Sequence, residues 1–344
     1  MRRIKPLQSC LSAFSLAGLF VRPSHLFYFL PLLALLIFLL ALASGTYGVE
    51  PGATWNAING GDTLTREMIL TLRLPRALAA FGCGALLALS GTVLQALLRN
   101  PLADPYVLGI SGGSGALALL TMLLGLGGVA TALAGLSGAL LSTLLLFALA
   151  WRGGLLPTRL LLAGVILSSV WGAFITLMLA AAPDAPLRGM VFWLMGDFSA
   201  MYSDIALWPL VAAVMAVVLT WPFARGFDAM AQGEITAAAL GVPVTRLRTF
   251  ALVLSAVMTA VVVMTAGSIG FVGLVTPHLL RLGGVRRHQW LLPAAACAGG
   301  TLLLAADLAA RTLVAPNQLP VGAITAAIGA PLFLWLLARS NPQP

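Results

Sequence analysis

Asp307 and Arg311 stand four residues apart at the end of an apolar run, the spacing at which two side chains meet on one helix face. His278 sits in a second apolar run. Asp307 and Arg311 are the best candidates for a proton- or ion-coupled pathway through a membrane, and His278 is the one histidine within the membrane's reach. An i,i+4 carboxylate–guanidinium pair at the water boundary of a span is cheap to keep, so its expected role is structural. The remaining chemistry is sparse. Lys5 is the single lysine, which excludes a Gly-Lys-Ser/Thr phosphate-binding loop and any Schiff-base lysine inside the apolar runs. Cys10, Cys83 and Cys297 are too scattered for a disulfide framework or a metal-ligand spacing, and there is no His-Glu-x-x-His pair, so no metal is expected. Nothing places a nucleophile beside His278 or Asp307, and the chain is expected not to be an enzyme.

The elements that carry these residues are set by composition. Hydrophobic residues make up 60% of the 344 residues and charged residues 8%, a balance that excludes a water-soluble domain. A bilayer core about 30 Å thick takes roughly 20 apolar residues per helical crossing. Such runs lie near residues 27–45, 77–97, 106–125, 132–151, 160–182, 205–223, 249–267, 269–283, 289–306 and 320–338. The fold class expected is all-α, a polytopic membrane protein with about ten transmembrane helices. It comprises an N-terminal segment 1–26, one transmembrane domain 27–338 and a tail 339–344. The first apolar run, LLALLIFLLALAS, reads as the first span rather than a cleaved secretory signal because it is long. Ten crossings put both termini on one side. With that side cytoplasmic, only Arg66, Arg73, Arg76, Arg188 and Arg311 of the 19 basic residues lie outside, as the positive-inside rule requires. The net charge of +9 is therefore orientation information, and nucleic acid is not an expected partner.

Two places resist simple spans. Between Arg248 and Arg281 the chain must cross twice with only 32 residues free of Asp, Glu, Lys and Arg, where two full spans need roughly 40. At least one crossing is short or broken, and Gly267, Gly270, Gly273 and Pro277 are the candidate break points lining a pathway. A glycine-rich helix packed closely on a neighbour is the other reading of the glycines. The second is RNPLADPY, where Asn100, Pro101 and Asp104 predict a tight cytoplasmic turn that ends the second span near Arg99. Outside, Asp62 is positioned to cap a short helix leading to Arg73, and Phe192, Trp193, Phe198 and Tyr202 read as an aromatic belt at headgroup level. Inside, residues 224–248 hold an alanine-rich helix from Glu234 to Leu240, stopped by Gly241 and Pro243, a reasonable docking element for a partner.

Six ordered motifs then point to a family. RLPRALAAF from Arg73, GTVLQALLRNPLADPYVLGISGG from Gly91, RLLLAGVIL from Arg159, GEITAAALGVP from Gly233, GSIGFVGLVTPHLLRL from Gly267 and DLAARTLVAPNQLPVGAITAAIGAPLFLWLL from Asp307 resemble the FecCD family. These are permease subunits of ABC importers for iron-siderophores, haem and cobalamin. The resemblance runs from about residue 30 to the C-terminus. It implies a bacterial inner-membrane permease acting as a homodimer, with two copies of an ABC ATPase below and a substrate-binding protein above. ATP and Mg belong to the ATPase, and this chain is expected to bind no cofactor. The resemblance assigns Arg73, Arg76 and Arg311 to docking of the binding protein, where arginine forks suit carboxylate partners. It assigns Gly233, Glu234, Ala238, Leu240 and Gly241 to coupling with the ATPase, and Asn100 and Leu102 to a cytoplasmic gate. The cargo is left open, with iron compounds the commoner of the three. The alternative from another class is an ion-coupled carrier or channel acting without an ATPase.

Overall fold

The computed structural model describes residues 23–44, 63–106, 108–151, 156–199 and 203–339, and every regular element among them is helical. The expectations for residues 1–22, Asp62, Tyr202 and the tail from 340 lie outside the described residues. Helix is the expected form for apolar runs that must satisfy their own backbone in lipid. In chain order the helices are α1 Pro23–Ala43, α2 Thr63–Met68, α3 Leu74–Leu98, α4 Ile110–Leu123, α5 Val129–Trp151, α6 Pro157–Ala181, α7 Asp184–Met195 and α8 Ser203–Ala206. They continue as α9 Trp208–Thr220, α10 Ala224–Ala231, α11 Glu234–Ala239, α12 Val244–Ala266, α13 Val272–Leu282, α14 His288–Thr312 and α15 Val321–Arg339. A π-helical turn, Ile69–Arg73, joins α2 to α3.

All ten expected spans are represented by helices. Six helical runs among the described residues are long and apolar enough to cross a bilayer, and four apolar helices are shorter. The short ones include α4 and α13, whose 14 and 11 residues reach about 21 and 16 Å. Neither alone spans a core of about 30 Å.

α3 is the axis of the bundle and is buried along nearly its whole length. Its small residues explain why. At Gly82 a Cβ would meet the backbone of α9 at Pro209 and Leu210, at Gly84 the carbonyl of Gly299 on α14, and at Gly91 the carbonyl of Gly273 on α13. Lipid gives helices no hydrophobic reason to associate, so close backbone approach and cross-helix hydrogen bonds hold them together. Ser90 adds such bonds toward Ser255 and Thr259 of α12. On the other flank, Ser142 of α5 donates to Gly109 O at 2.7 Å and accepts from the Trp171 indole of α6 at 3.0 Å, knitting α4, α5 and α6.

Both ends of α3 behave as their residues dictate. Pro75 occupies the first turn, where it costs no hydrogen bond. Arg99 closes the helix in the left-handed region, φ 48°, and the turn that follows is held by its own side chains. Leu102 N–H donates to Asn100 Oδ1 and Tyr106 N–H to Asp104 Oδ1, both at 2.9 Å, as Asx turns do.

The expected break between α12 and α13 is present at residues 267–271. Gly267 has φ 71° and Phe271 φ 69°, a conformation that favours glycine and that a bulky residue adopts only when packing enforces it. A Cβ on Gly329 of α15 would meet the Phe271 side chain, so that ring fills the space above a glycine. Of the four candidate break points only Gly267 and Gly270 lie in the interruption. Gly273 and Pro277 are inside α13, and Gly273 serves instead the close approach to Gly91. The freed backbone is satisfied by neighbours: Asp197 N–H donates to Ala266 O at 2.9 Å, Val321 N–H to Gly196 O at 3.0 Å, and Ile269 N–H to the Tyr106 hydroxyl.

That junction takes Phe198 out of the aromatic belt expected over residues 183–204. They contain α7, whose end meets the break in α12 and the start of α15. Phe198 is buried in the core rather than placed at a surface, because the chain after α7 turns inward to bond Ala266. Phe192 packs under the Arg188 guanidinium, 5.7 Å from its centroid.

Candidate functional site

One end of the bundle carries a buried charge cluster. Asp307 is 0% exposed, Arg76 7% and Arg311 3%. Arg76 grips the carboxylate with Nε at 2.9 Å and Nη2 at 2.8 Å from Oδ1, while Arg311 Nε lies 3.1 Å from Oδ2. Arg76 Nη1 also donates to Gln318 Oε1 at 2.8 Å, tying in the loop before α15. The expectation of a solvent-boundary i,i+4 pair is therefore corrected: Asp307 is shared by two guanidiniums and shielded by three elements. Arg73 caps the last carbonyls of α1, Leu42 O at 2.8 Å and Ala43 O at 3.0 Å, and Arg311 Nη2 reaches Ala41 O at 3.5 Å. Cations there complement the negative end of the helix dipole. The three arginines thus converge as a group, but each is already engaged inside the chain instead of standing open at a surface. Three guanidiniums around one carboxylate leave a local positive surplus within this cluster.

The opposite end is basic throughout. Counting along α3, Gln95 lies 19 residues from Arg76, about 28 Å at the helical rise and close to the thickness of a bilayer core. Gln95 pairs with Arg281 of α13, and its amide also reaches Gly273 O and Leu274 O at 3.3 Å. His288 is buried here, whereas His278, the histidine that the sequence placed within the membrane's reach, is half-buried. His288 Nδ1 is 2.6 Å from Asp228 Oδ1, which also accepts the His288 backbone N–H at 2.9 Å and so fastens α10 to α14.

At this same end α11 forms as the alanine-rich run predicts. Gly233 enters it with φ 124°, Leu240 ends it and Gly241 leaves with φ 79°. Glu234 is ion-paired with the buried Arg248 of α12, so the short helix is clipped to a long one. Its outward face is apolar: Ile235 is 88% exposed and Leu240 68%, with Ala238 exposed between them. The Asn100–Leu102 turn lies at this end too, with Leu102 exposed and Asn100 half-buried.

A third feature is the unpartnered face of α6, where Ser169, Gly172, Ala173 and Thr176 are exposed among apolar neighbours. Small and hydroxyl residues in a stripe on a lipid-length helix suit close packing against another helix. Sequence reasoning missed the Arg76–Asp307 pairing, the Asp228–His288 clasp and α7. Asp307, the one acid in its apolar run, was the available signal for the first.

The comparisons with known proteins agree with this architecture. The model of the FecCD transport family matches residues 32–339. The vitamin B12 import system permease protein BtuC of Klebsiella pneumoniae subsp. pneumoniae is 40% identical over 334 residues, covering 96% of this chain and 98% of that protein. BtuC of Salmonella typhimurium is 40% identical over 314 residues, covering 90% and 94%. A structure described as an inward-facing conformation of a metal-chelate type ABC transporter superposes with TM-score 0.83 at 32% identity, covering 92% of this chain and 99% of that one. PsaBC from Streptococcus pneumoniae, at TM-score 0.56 and 17% identity over 79% of this chain, shares the fold. The chain belongs to the FecCD transport family and is a permease subunit of an ABC importer.

Proposed function

We propose that this chain is the multi-pass permease of a bacterial inner-membrane importer for a metal chelate, working as a homodimer on two ATPase subunits and receiving cargo from a binding protein outside. The basic end is assigned to the cytoplasm by the positive-inside rule, and an even number of crossings would put both termini on that side. A short α13 leaves that parity unchanged, because α12 and α13 enter and leave as a pair. Energy must come from another chain, since a permease with a single lysine at position 5 has no phosphate-binding loop.

The observation that carries the coupling reading is α11: a short helix at the basic end with an exposed apolar face, clipped to α12 by Glu234–Arg248. A partner that moves α11 moves α12, and α12 leads into the break at 267–271. Gly233, Glu234, Ala238, Leu240 and Gly241 form this seat, with Asn100 and Leu102 as the gate beside it. Ile235→Asp with Leu240→Asp is expected to lower co-purification of the ATPase at least tenfold, since two exposed apolar anchors that become buried on docking contribute roughly 1.5–3 kcal/mol each. Undiminished co-purification removes the coupling role.

At the other end Arg73, Arg76 and Arg311 are proposed to dock an acidic edge of the binding protein through their positive surplus. Affinity should then fall as salt rises, and Arg73→Gln should flatten that dependence. Affinity independent of salt removes the docking role. The small-residue stripe on α6 supports a second permease copy packed there, with the translocation path between copies.

Cobalamin is the first cargo to test, because the vitamin B12 permeases of Klebsiella and Salmonella are 40% identical to this chain. That places it ahead of ferric siderophores and haem. The deciding experiment is ATP-driven uptake by the reconstituted permease, ATPase and binding protein, challenged with each cargo in turn. Uptake of cobalamin alone supports the reading. Transport by the purified permease with no ATPase replaces it with an ion-coupled carrier.

A further inference from the structure

The basic end carries an open pocket of about 930 Å³ between the end of α3, α10, α13 and the start of α14. Four arginines line it, Arg99, Arg281, Arg286 and Arg287, against one carboxylate, Asp228. That carboxylate is already engaged by His288. None of the four arginines has a carboxylate at ion-pair distance among the described residues. With the histidines neutral the lining carries a net charge of +3, four less one. Such a concentration of cations needs more counter-charge than Asp228, the one carboxylate in the lining, supplies.

Two further observations narrow the ligand. The lining is amphipathic: Ala96 and the exposed Leu282 lie beside the arginines, so the cavity offers apolar wall as well as charge. Its depth is also marked. Trp221, exposed, donates its indole N–H to Gln289 O at 3.0 Å, and exposed Trp290 packs edge-on against Phe27 with centroids 5.3 Å apart. Both tryptophans sit next to His288 in the fold, and exposed tryptophan at helix ends marks the headgroup layer of a bilayer. Basic pockets between helices at that layer suit anionic headgroups.

We propose that this cavity binds the headgroup of an anionic phospholipid, with its phosphate among Arg281, Arg286 and Arg287 and an acyl chain along Leu282. The site is distinct from the outward face of α11 and does not depend on which cargo is carried. An inorganic phosphate would satisfy the arginines but leave the apolar wall unused. An acidic segment of a partner protein would have to reach into the headgroup layer.

The test is native mass spectrometry on the delipidated full-length permease, alone and with its ATPase, titrated with phosphatidylglycerol, phosphatidylethanolamine and inorganic phosphate. Phosphatidylglycerol should be retained in preference to phosphatidylethanolamine. Arg286→Gln with Arg287→Gln should weaken it by roughly 30-fold, about fivefold per arginine. Arg286→Lys with Arg287→Lys should keep most of the binding, and Arg225→Gln with Arg246→Gln, exposed arginines elsewhere at this end, should keep it all. Equal retention of both lipids, or equal loss in the Arg225/Arg246 variant, overturns the proposal. Displacement of the lipid by phosphate alone would make this a small-anion site. Loss of ATPase association with lipid retained would make it a protein surface.

Discussion

Asp307→Ala should cost the folded permease about 3–5 kcal/mol, because it leaves the Arg76 and Arg311 guanidiniums buried without their counter-ion. A loss of that size consumes much of the stability of an ordinary domain. The expected result is a sharply lower melting temperature in detergent, or no monodisperse protein at all. Removing the arginines as well should reverse the defect: Asp307→Leu with Arg76→Met and Arg311→Met replaces a buried ion cluster with packing, which is often neutral or stabilising. Recovery of the melting temperature in the triple variant would separate uncompensated charge from simple loss of shape. If Asp307→Ala melts like the parent, water or lipid headgroups reach the cluster and it is not a closed buried network. Because Arg76 also holds Gln318, the defect should extend to the loop that leads into α15.

Gly91→Val is the second large effect. A Cβ at position 91 falls on the carbonyl carbon and oxygen of Gly273, and backbone has no rotamer with which to move aside. The helices must separate, which opens the Gln95 contacts to Gly273 and Leu274 one turn further on. Overpacking of this kind costs about 1–3 kcal/mol even where neighbours can adjust. Here the separation also releases a buried amide, so a loss at the upper end of that range is expected in thermal unfolding. Gly189→Ala on α7 is the comparison. Nothing lies within 4 Å of its Cβ position, so the helix should gain about 0.5–1 kcal/mol from the better helix former. Equal melting temperatures for Gly91→Val and the parent would mean that α3 and α13 are not in contact in the membrane.

Much of this protein is legible in its sequence, and the reason is the solvent. A bilayer requires long apolar helices, so hydropathy alone located α1, α3, α5, α6, α9, α12 and α14 close to their observed positions. Punctuation was equally local. Pro101 after Asn100 ends α3 at Leu98, and Gly241 with Pro243 ends α11, because these residues restrict or free their own backbone angles. The shortage of residues between Arg248 and Arg281 predicted an incomplete crossing, and α13 is that crossing. Which glycines break and which pack was not legible. Gly267 and Gly273 are both glycines in one apolar stretch, and only the presence of Gly91 opposite Gly273 separates their roles.

The sequence by itself determined the membrane class, the runs that become helices, the end of the bundle that is basic and the family. All of these follow from properties a residue has alone or with its near neighbours. Tertiary structure alone decided that Arg76 and Asp307, 231 residues apart, share a buried site with Arg311. It also decided that the chain after α7 turns back into the bundle to meet the break after α12, and that four arginines from the end of α3, α13 and the link to α14 line one pocket. Charge pairing and backbone satisfaction depend on distance in space. In a bundle of similar apolar helices, glycine contacts and hydroxyl bonds between particular pairs set that distance, and the sequence does not announce which pairs those are.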